Sequence, residues 1–406
     1  MSKPFDLILF GASGFTGRLV AQYLHTLRNS EPGLRWAMAA RNLSKLRAVC
    51  TELGIDDHIP LIEADAANPQ AMAALVKQTR VVITTVGPYQ QYGETLISAC
   101  AANGTDYVDL CGEPTWMASM IPQLQGPARA SGARIVFSCG FDSIPFDLGV
   151  LFLQDEMRQR FSTPATQVHG RMRVMKGGIS GGTIASALTT VELIARDPSQ
   201  AMVMNNPFAL TPALQGPAQP DGELAAYDPL AKSWTGPFMM AAINTKNIHR
   251  THALLGQPWG PDFRYDERML CGDGERGRKR AKKLQRQTER QALLLRFAPS
   301  RWLLRRFVLA KPGQGPSLEK RESGRFEVLF IGQTASQQML KVCVSGDRDP
   351  GYGSTAKMIA QSALCLLHDV DHDRTAGGVW TPGAAMGQTL IARLQRYAGL
   401  RFRVED

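Results

Sequence analysis

The sequence predicts an α/β fold in which a doubly wound parallel sheet is followed by a second, mixed α+β domain. Short β-rich runs alternate with segments of helical length up to about residue 138, and right-handed crossovers turn such an alternation into a parallel sheet covered by helices. Beyond that point the alternation gives way to a mixed pattern. The chain has 406 residues, a length that favours two domains.

Taken in order, the elements of the first part support the parallel sheet. Six strand-like runs begin at Phe5, Leu34, Ile59, Arg80, Thr105 and Ala133. Segments of helical length lie between them at Thr16–Leu27, Leu43–Leu53, Pro69–Gln78, Gly93–Asn103 and Pro114–Ser131. Six strands with these connections are enough for one complete domain of this class.

The second part mixes strand and helix patterns. A strand-like run starts at Thr166, a helix-like run follows the glycine-rich GGISGG, and residues 205 to about 237 have the composition of a loop. Runs starting at Arg325 and Gln337 are separated by a short polar link and predict an antiparallel hairpin.

The tail of the chain predicts helices at Gly353–Asp369 and Met386–Tyr397. We leave open whether these helices return to the first domain. The patterns together divide the chain into a first domain at 1–145, a mixed α+β domain at 146–350, and C-terminal helices at 351–406.

The run LILFGASGFTGR joins the first strand to the first helix and carries Gly11, Gly14 and Gly17. In such a turn the first glycine allows the tight bend, the second lets the backbone approach a pyrophosphate, and the third lets helix and strand pack closely. The helix N-terminus offers N–H groups to phosphates, and Ser13 and Thr16 can add hydroxyl donors. The alternative is a glycine-rich turn that binds nothing. Because the loop opens a six-strand alternation, we interpret it as the phosphate loop of a Rossmann-type domain.

The end of the second strand bears on which dinucleotide is bound. NAD sites usually carry an acid there, whereas a cation accommodates the 2′-phosphate of NADP. The sequence reads MAARNLSKL, with Arg41 in the place of the acid and Lys45 four residues on. An arginine can hold a phosphate through its planar fork. We expect NADP(H), the alternative being that Arg41 is only a solvated residue at a strand end.

Two further strand ends face the same crevice. Asp65 follows the third strand and is expected to accept a hydrogen bond from the adenine amino group. The loop TTVGPYQQYG follows the fourth strand and must pass close to the nicotinamide ribose, with Pro88 stiffening the turn. Tyr89 could line the ring pocket, although packing is the commoner role of such a tyrosine. The candidate cofactor residues are Gly11, Ser13, Gly14, Phe15, Thr16, Gly17, Arg41, Lys45, Asp65, Val86, Gly87, Pro88 and Tyr89.

Several motifs spread over the chain point to one family. They are GASGFTGRLVAQYL, AARNLSKL, TTVGPY, YVDLCGEP, CGFDSIPFDLG, SGGTIAS, KPGQGPS and DPGYGSTAKM. Together they resemble the saccharopine dehydrogenase-like oxidoreductases, and within that group the trans-acting enoyl reductases of bacterial polyketide lipid synthesis. The resemblance implies a Rossmann-type domain, a second domain that carries the substrate site, NADP(H), and hydride transfer. It does not identify a catalytic acid.

Three residues are candidates for catalysis. Asp142 and Ser143 follow the sixth strand, where their polar groups would lie beside the nicotinamide and orient the substrate or the carboxamide. Their alternative role is to cap the helix that begins near Pro145. Tyr352 is flanked by glycines and is a candidate proton donor. In YVDLCGEP, capping by Glu113 and packing by Cys111 are the expected roles.

The reaction is left between three alternatives. Enoyl reduction needs hydride at the β-carbon and a proton at the α-carbon of a thioester, and the small apolar run SGGTIASALTT suits an acyl chain. A saccharopine-type imine reduction would need convergent arginines, and Arg171 and Arg173 share one face of a predicted strand. The third alternative is a lipid-surface or scaffold protein that retains a nucleotide site.

The basicity of the chain belongs to one segment. The net charge is +10, and Arg276–Arg306 alone contains 12 cations and one acid. Within residues 276–310, Leu293, Phe297 and Trp302 belong to an apolar face. Such a stretch can lie on an anionic membrane, receive an acidic acyl carrier protein, or pack on its own domain. A single helical run without a recognition module argues against nucleic acid.

The cysteine pattern and the N-terminus bear on location. The seven cysteines are scattered without a C-x-x-C pair, which argues against a structural metal site and a disulfide framework. The start of the chain has no signal-peptide pattern. We expect a cytoplasmic protein, with a peripheral position at the inner membrane surface and a homodimer both left open.

Overall fold

Two sheets organise the computed structural model of the chain, which describes residues 3–55, 58–177, 181–222, 224–297, 299 and 315–405. The strands are β1 (Phe5–Phe10), β2 (Trp36–Ala40), β3 (Leu61–Glu63), β4 (Thr79–Thr84), β5 (Asp106–Val108), β6 (Arg134–Val136), β7 (Gln167–Lys176), β8 (Ala226–Asp228), β9 (Ser233–Pro237), β10 (Arg264–Gly272), β11 (Arg325–Gln333), β12 (Met339–Gly346), β13 (Gly378–Trp380) and β14 (Leu400–Glu405).

Helices cover both sheets. They are α1 (Phe15–Thr26), α2 (Leu43–Leu53), α3 (Pro69–Val76), α4 (Tyr89–Tyr92), α5 (Glu94–Ala102), α6 (Pro114–Ser131), α7 (Ile144–Phe161), α8 (Gly181–Arg196), α9 (Gln200–Asn205), α10 (Ala241–Leu254), α11 (Gly274–Arg296), α12 (Leu318–Glu322), α13 (Thr355–His368) and α14 (Pro382–Tyr397). A 3-10 turn spans Leu27–Asn29, and a π-helical turn spans Pro350–Ser354.

The first sheet is parallel throughout, with the order β3-β2-β1-β4-β5-β6-β13. The six predicted strands are confirmed as its first six members. The strand order reverses between β1 and β4, and ligands of open α/β sheets bind at the carboxyl ends of strands at such a switch point. The crevice for a ligand is therefore bounded by the loops after β1 and β4.

The second sheet has the order β14-β12-β11-β7-β10-β9-β8. Its only parallel pair within the described chain is β7 with β10. The predicted hairpin is confirmed, because β11 and β12 pair antiparallel from Phe326 opposite Gly346 to Gln333 opposite Met339. The expected fold class, a doubly wound parallel sheet with a mixed second domain, is thus confirmed.

Two local predictions were wrong. Residues 205–237, expected to be a loop, contain the short strands β8 and β9, and the tail, expected to be helical, also contains β13 and β14. β13 and β8 are only three residues long, and each is held by a neighbouring strand rather than by a local pattern. The region 351–406 is consequently shared, since β13 joins the first sheet and β14 joins the second.

A continuous apolar core connects the two sheets. The same cluster includes Leu7 of β1 and Phe330 of β11. Residues of α7 belong to this cluster and pack on the second sheet, where a Cβ added at Gly149 would fall 2.4 Å from the Phe330 ring. Within the described residues no helix has the length and apolar character needed to cross a membrane. All seven cysteines are described, and each is buried and free of a disulfide.

Candidate active site

A cleft of about 360 Å³ opens at the carboxyl edge of the first sheet. The loops after β4, β5 and β6 line one side together with Thr16 of α1. Met175 of β7, the helices α8 and α9, and the start of α10 line the opposite side. The cleft therefore lies between the predicted dinucleotide loop and the second domain.

The glycine loop fits a dinucleotide. Gly11 has φ +88°, and a Cβ there would fall 2.6 Å from Cγ2 of Val86. A Cβ on Gly17 would fall 2.2 Å from the Gly11 carbonyl oxygen, so the helix and the loop touch. Gly14 is the N-cap residue of α1 and has no side chain to cover the helix N-terminus. The backbone can thus approach a pyrophosphate at N–H groups that favour anions.

The cationic pair predicted for the 2′-phosphate lies at the end of β2. Arg41 and Lys45 are both exposed, and Asn42 between them caps α2 by accepting a hydrogen bond from the Lys45 backbone N–H at 2.9 Å. Asp65 is also exposed, and its Oδ1 accepts the Ala67 N–H at 3.0 Å. Arg41, Lys45 and Asp65 are thus exposed beyond the carboxyl ends of β2 and β3, where the adenosine end of a dinucleotide would lie.

The loop after β4 reaches the cleft through Gly87 and Tyr89. The Tyr89 hydroxyl accepts the Leu110 N–H at 3.0 Å and faces the Thr84 carbonyl oxygen at 3.4 Å. Burial raises the pKa of this phenol well above its ordinary value. Tyr89 thus ties the ends of β4 and β5 together. Val86 is not among the described lining residues, and its side chain lies against Gly11.

Asp142 is the only carboxylate among the described residues that line the cleft. Burial raises its pKa to about 6, and a hydrogen bond from Thr183 of α8 opposes that rise. A carboxyl group with a pKa in this range can hold or release a proton near neutral pH. Its placement makes it the strongest acid–base candidate of the cleft.

Ser143 also lines the cleft, although it is almost fully buried. It occupies the N-cap position of α7 without making a side-chain capping bond, so the capping alternative is wrong for this hydroxyl. Its Oγ instead accepts from Nδ2 of Asn247 at 2.9 Å and donates to Oδ1 of Asn244 at 3.3 Å. Ser143 therefore connects the first domain to α10.

Tyr352 lies beside the start of α1, next to the glycine loop, and outside the described cleft lining. Its ring packs edge-on against Phe15, with centroids 4.8 Å apart. Its hydroxyl oxygen accepts the Gly181 N–H at 2.9 Å, and burial raises its pKa. Neighbouring Gly351 does line the cleft.

Sequence reasoning missed the contacts of α8. Glu113 was expected to cap, and it does, but at α4 rather than at its own helix α6. The same carboxylate accepts Oγ–H of Ser186 on α8 at 2.6 Å. The available signal was the spacing of Thr183, Ser186 and Thr190, which places three hydroxyls on one side of a predicted helix.

The two arginines considered for carboxylate binding are paired elsewhere. Arg171 contacts Asp228 at 2.6 Å and Asp266 at 2.8 Å, and Arg173 contacts Glu405 at 2.7 Å. No lysine or arginine occurs among the described residues of the cleft lining. The wall formed by the second domain is largely apolar; its apolar members are Met175, Ala187, Val191, Ile194, Met204, Met239, Met240, Ala242 and Ile243.

The parallel sheet, the glycine loop at its switch point and the adjoining cleft define a nicotinamide-dependent oxidoreductase. Residues 7–136 match the family described as the saccharopine dehydrogenase NADP binding domain. A putative trans-acting enoyl reductase of Mycobacterium tuberculosis is 37% identical over 97% of this chain and 96% of its own. A trans-acting enoyl reductase of Mycobacterium ulcerans is 34% identical with the same coverage.

The chain belongs to the trans-acting enoyl reductase family, and it is an NADP(H)-dependent oxidoreductase. Solved structures share its fold. Saccharopine dehydrogenase (L-Glu forming) of Saccharomyces cerevisiae has a TM-score of 0.52 and 12% identity over 99% of this chain and 100% of that one. Homospermidine synthase of Legionella pneumophila has a TM-score of 0.53 and 9% identity over 99% and 92%.

Proposed function

We propose that the protein reduces the carbon–carbon double bond of an α,β-unsaturated acyl thioester. The observation that carries this proposal is the chemistry of the cleft wall. The wall formed by the second domain is aliphatic and methionine-rich. The described residues of the whole cleft lining include one carboxylate, Asp142, and no lysine or arginine. An acyl chain needs such a wall, whereas an amino-acid substrate with two carboxylates needs cations. The names of the relatives, trans-acting enoyl reductases, agree with this assignment.

The residues of this chain have separable tasks. NADPH, when bound, supplies the hydride that is added to the β-carbon. The backbone at Gly11 and Gly14 would hold the pyrophosphate, while Gly17 keeps the helix close to the loop. Arg41 with Lys45 would bind the 2′-phosphate. The walls of the cleft exclude water and align the double bond with the nicotinamide. Hydride transfer requires the β-carbon of the thioester to lie in contact with the nicotinamide carbon that carries the hydride.

Hydride addition leaves negative charge on the thioester oxygen and the α-carbon, which must then receive a proton. We assign this proton to the carboxyl group of Asp142, which lines the cleft and has a pKa of about 6. Thr183 orients that carboxyl group. The Ser143 hydroxyl already donates its proton to Asn244, so it orients the carboxamide by accepting an N–H with its remaining lone pair. The tyrosine candidate, Tyr352, is the less favoured donor because its hydroxyl faces the α8 backbone rather than the cleft.

A substrate panel tests this function. NADPH absorbance should fall with trans-2-enoyl thioesters and stay constant with pairs of amino acids and keto acids. The cation requirement of an imine reductase supports this expectation, because Arg171 and Arg173 are already paired with acids. Turnover of the amino-acid pairs alone would establish the saccharopine-type reaction instead. A protein that does not bind NADPH at all would favour the scaffold alternative.

We further propose that α11 is the docking surface for an acidic acyl carrier protein, as a reductase acting in trans requires. Its first turns pack on β9, where a Cβ on Gly236 would lie 3.0 Å from Leu284. Eight of its cations are exposed, namely Arg276, Arg278, Lys279, Arg280, Lys282, Lys283, Arg286 and Arg290. Leu293 and Phe297 near its end are 54% and 56% exposed. Trp302 of the predicted apolar face lies outside the described residues.

The variant K282E/K283E tests the docking surface. It should raise KM for an enoyl chain carried on an acyl carrier protein while leaving KM for the same chain on coenzyme A unchanged, because docking charges steer association. Equal KM values for wild type and variant with the carrier-bound chain would contradict the proposal. Flotation of wild type with anionic vesicles, lost in the variant, would instead support a peripheral membrane position.

A further inference from the structure

Three hydroxyl-bearing residues of α8 contact the first domain. Thr183 hydrogen-bonds Asp142, Ser186 Oγ donates to Glu113 Oε1 at 2.6 Å, and Thr190 Oγ1 accepts from Nε2 of Gln90 at 3.3 Å. Spacings of three and four residues bring these side chains to one face of the helix. The neighbouring positions 187, 191 and 194 are apolar and line the cleft. α8 therefore meets the first domain and the substrate space at the same time.

Glu113 is the centre of these contacts. Its side chain is fully buried, and its two oxygens accept the N–H groups of Tyr89 and Gln90, both at 2.9 Å. Those N–H groups follow directly on the Gly87–Pro88 turn. No lysine, arginine or histidine of the described chain forms an ion pair with Glu113. The charge of a buried carboxylate is stabilised by the hydrogen bonds that it accepts. The β4 loop and α8 both donate to Glu113, so they share one acceptor.

We propose that Glu113 is a positioning residue that couples dinucleotide binding at the β4 loop to the seating of α8 over the substrate side of the cleft. This inference rests on the proposed function, which assigns the β4 loop to the dinucleotide and the α8 side of the cleft to the acyl chain. A dinucleotide that orders the loop fixes the Glu113 carboxylate, and the carboxylate then holds Ser186. Such coupling is reciprocal, so an acyl chain that seats α8 strengthens dinucleotide binding.

Hydrogen exchange of the full chain with and without NADPH tests the coupling. In wild type, NADPH should slow exchange both in the loop at 85–93 and in α8. In S186A the loop should keep its protection, while the added protection of α8 should fall at least about fivefold, the lower end of typical coupling between sites. T189A is the matched control, because the Thr189 hydroxyl donates to the Ala185 carbonyl of its own helix and bonds no other residue in the described part of the chain.

T190V separates Glu113 from Gln90. It removes the contact with Gln90 and leaves Ser186 in place, so α8 should remain protected by NADPH. Full α8 protection in S186A, or its loss in T190V alone, would overturn the assignment to Glu113. Absence of α8 protection in wild type would overturn the coupling itself. NADPH is the only ligand in these measurements, so a failure to reduce enoyl thioesters leaves their outcome intact.

Discussion

A Cβ on Gly17 would fall 2.2 Å from the carbonyl oxygen of Gly11, across the turn that joins the first strand to the first helix. This close approach brings the N-terminus of α1 over the loop. Position 17 has no room for a larger residue, because the atoms that its Cβ would meet belong to the backbone and cannot move aside as a side chain can. The geometry of the proposed phosphate site therefore depends on the packing of the first strand against the first helix.

Gly17→Ala should destabilise the fold and abolish NADPH binding. Forcing a methyl group into such a contact typically costs about 1–3 kcal/mol, and it moves the helix whose N-terminus we propose to bind phosphate. Urea unfolding and NADPH fluorescence measure the two effects. Gly126→Ala in α6 is the control, because a Cβ there meets nothing within 4 Å beyond its chain neighbours, and it should leave NADPH binding unchanged. Unimpaired NADPH binding by G17A would contradict this account of the loop.

Arg41→Gln should weaken NADPH binding at least about tenfold and leave NADH binding almost unchanged. The reason is that a charge-assisted bond to the 2′-phosphate contributes about 1.5–3 kcal/mol, and NADH lacks that phosphate. Fluorescence titration with both nucleotides gives the ratio. Arg47→Gln changes an exposed arginine on the same helical unit and should alter neither affinity. A parallel loss for NADH would refute the role of Arg41.

Asp142→Asn should lower kcat for an enoyl thioester by about 10²–10⁴, the usual contribution of a general acid. NADPH affinity should change little, because Asp142 is expected to act on the substrate. Steady-state kinetics with a fluorescence titration separates the two quantities. Tyr352→Phe is the companion variant. If Y352F loses the activity and D142N retains it, the proton comes from the tyrosine.

The pH profile provides a separate check on the same carboxyl group. Burial raises the pKa of Asp142 from 3.8 to about 6, and only the protonated group can donate. Wild-type kcat should therefore fall as pH rises through about 6, and the fall should be absent from D142N. The raised pKa also means that the stability this group contributes is complete below 3.8 and is lost as pH rises to about 6. A wild-type kcat that increases over this range would contradict proton donation by Asp142.

Much of the first domain could be predicted because its signals are local. Strand–helix alternation shows where each strand ends. Short motifs at those ends then predict the glycine loop and the positions of Arg41 and Asp142. The structure places Asp142 in the cleft lining and Arg41 exposed at the end of its strand. The hairpin of β11 and β12 was predictable for the same reason, since two adjacent strands need one short connection.

The remaining features depend on partners far away in the chain. β13 pairs with β6 although more than 240 residues separate Arg134 from Gly378, and no three-residue run can indicate such a neighbour. The residue type of Glu113 predicted a cap, but its target at Tyr89 and its bond to Ser186 arise only from tertiary packing. Arg171 shared a predicted face with Arg173, yet its partners Asp228 and Asp266 come from other strands.

Isotope transfer from NADPH deuterated at C4 of the nicotinamide is the decisive measurement. With a trans-2-enoyl thioester in ordinary water, mass spectrometry should find one deuterium at the β-carbon of the saturated product. With unlabelled NADPH in deuterated water, one deuterium should appear at the α-carbon. A parallel reaction contains an amino acid and a keto acid in place of the thioester. Deuterium from the cofactor in the product of that reaction, with none in the acyl chain, would contradict enoyl reduction by this protein.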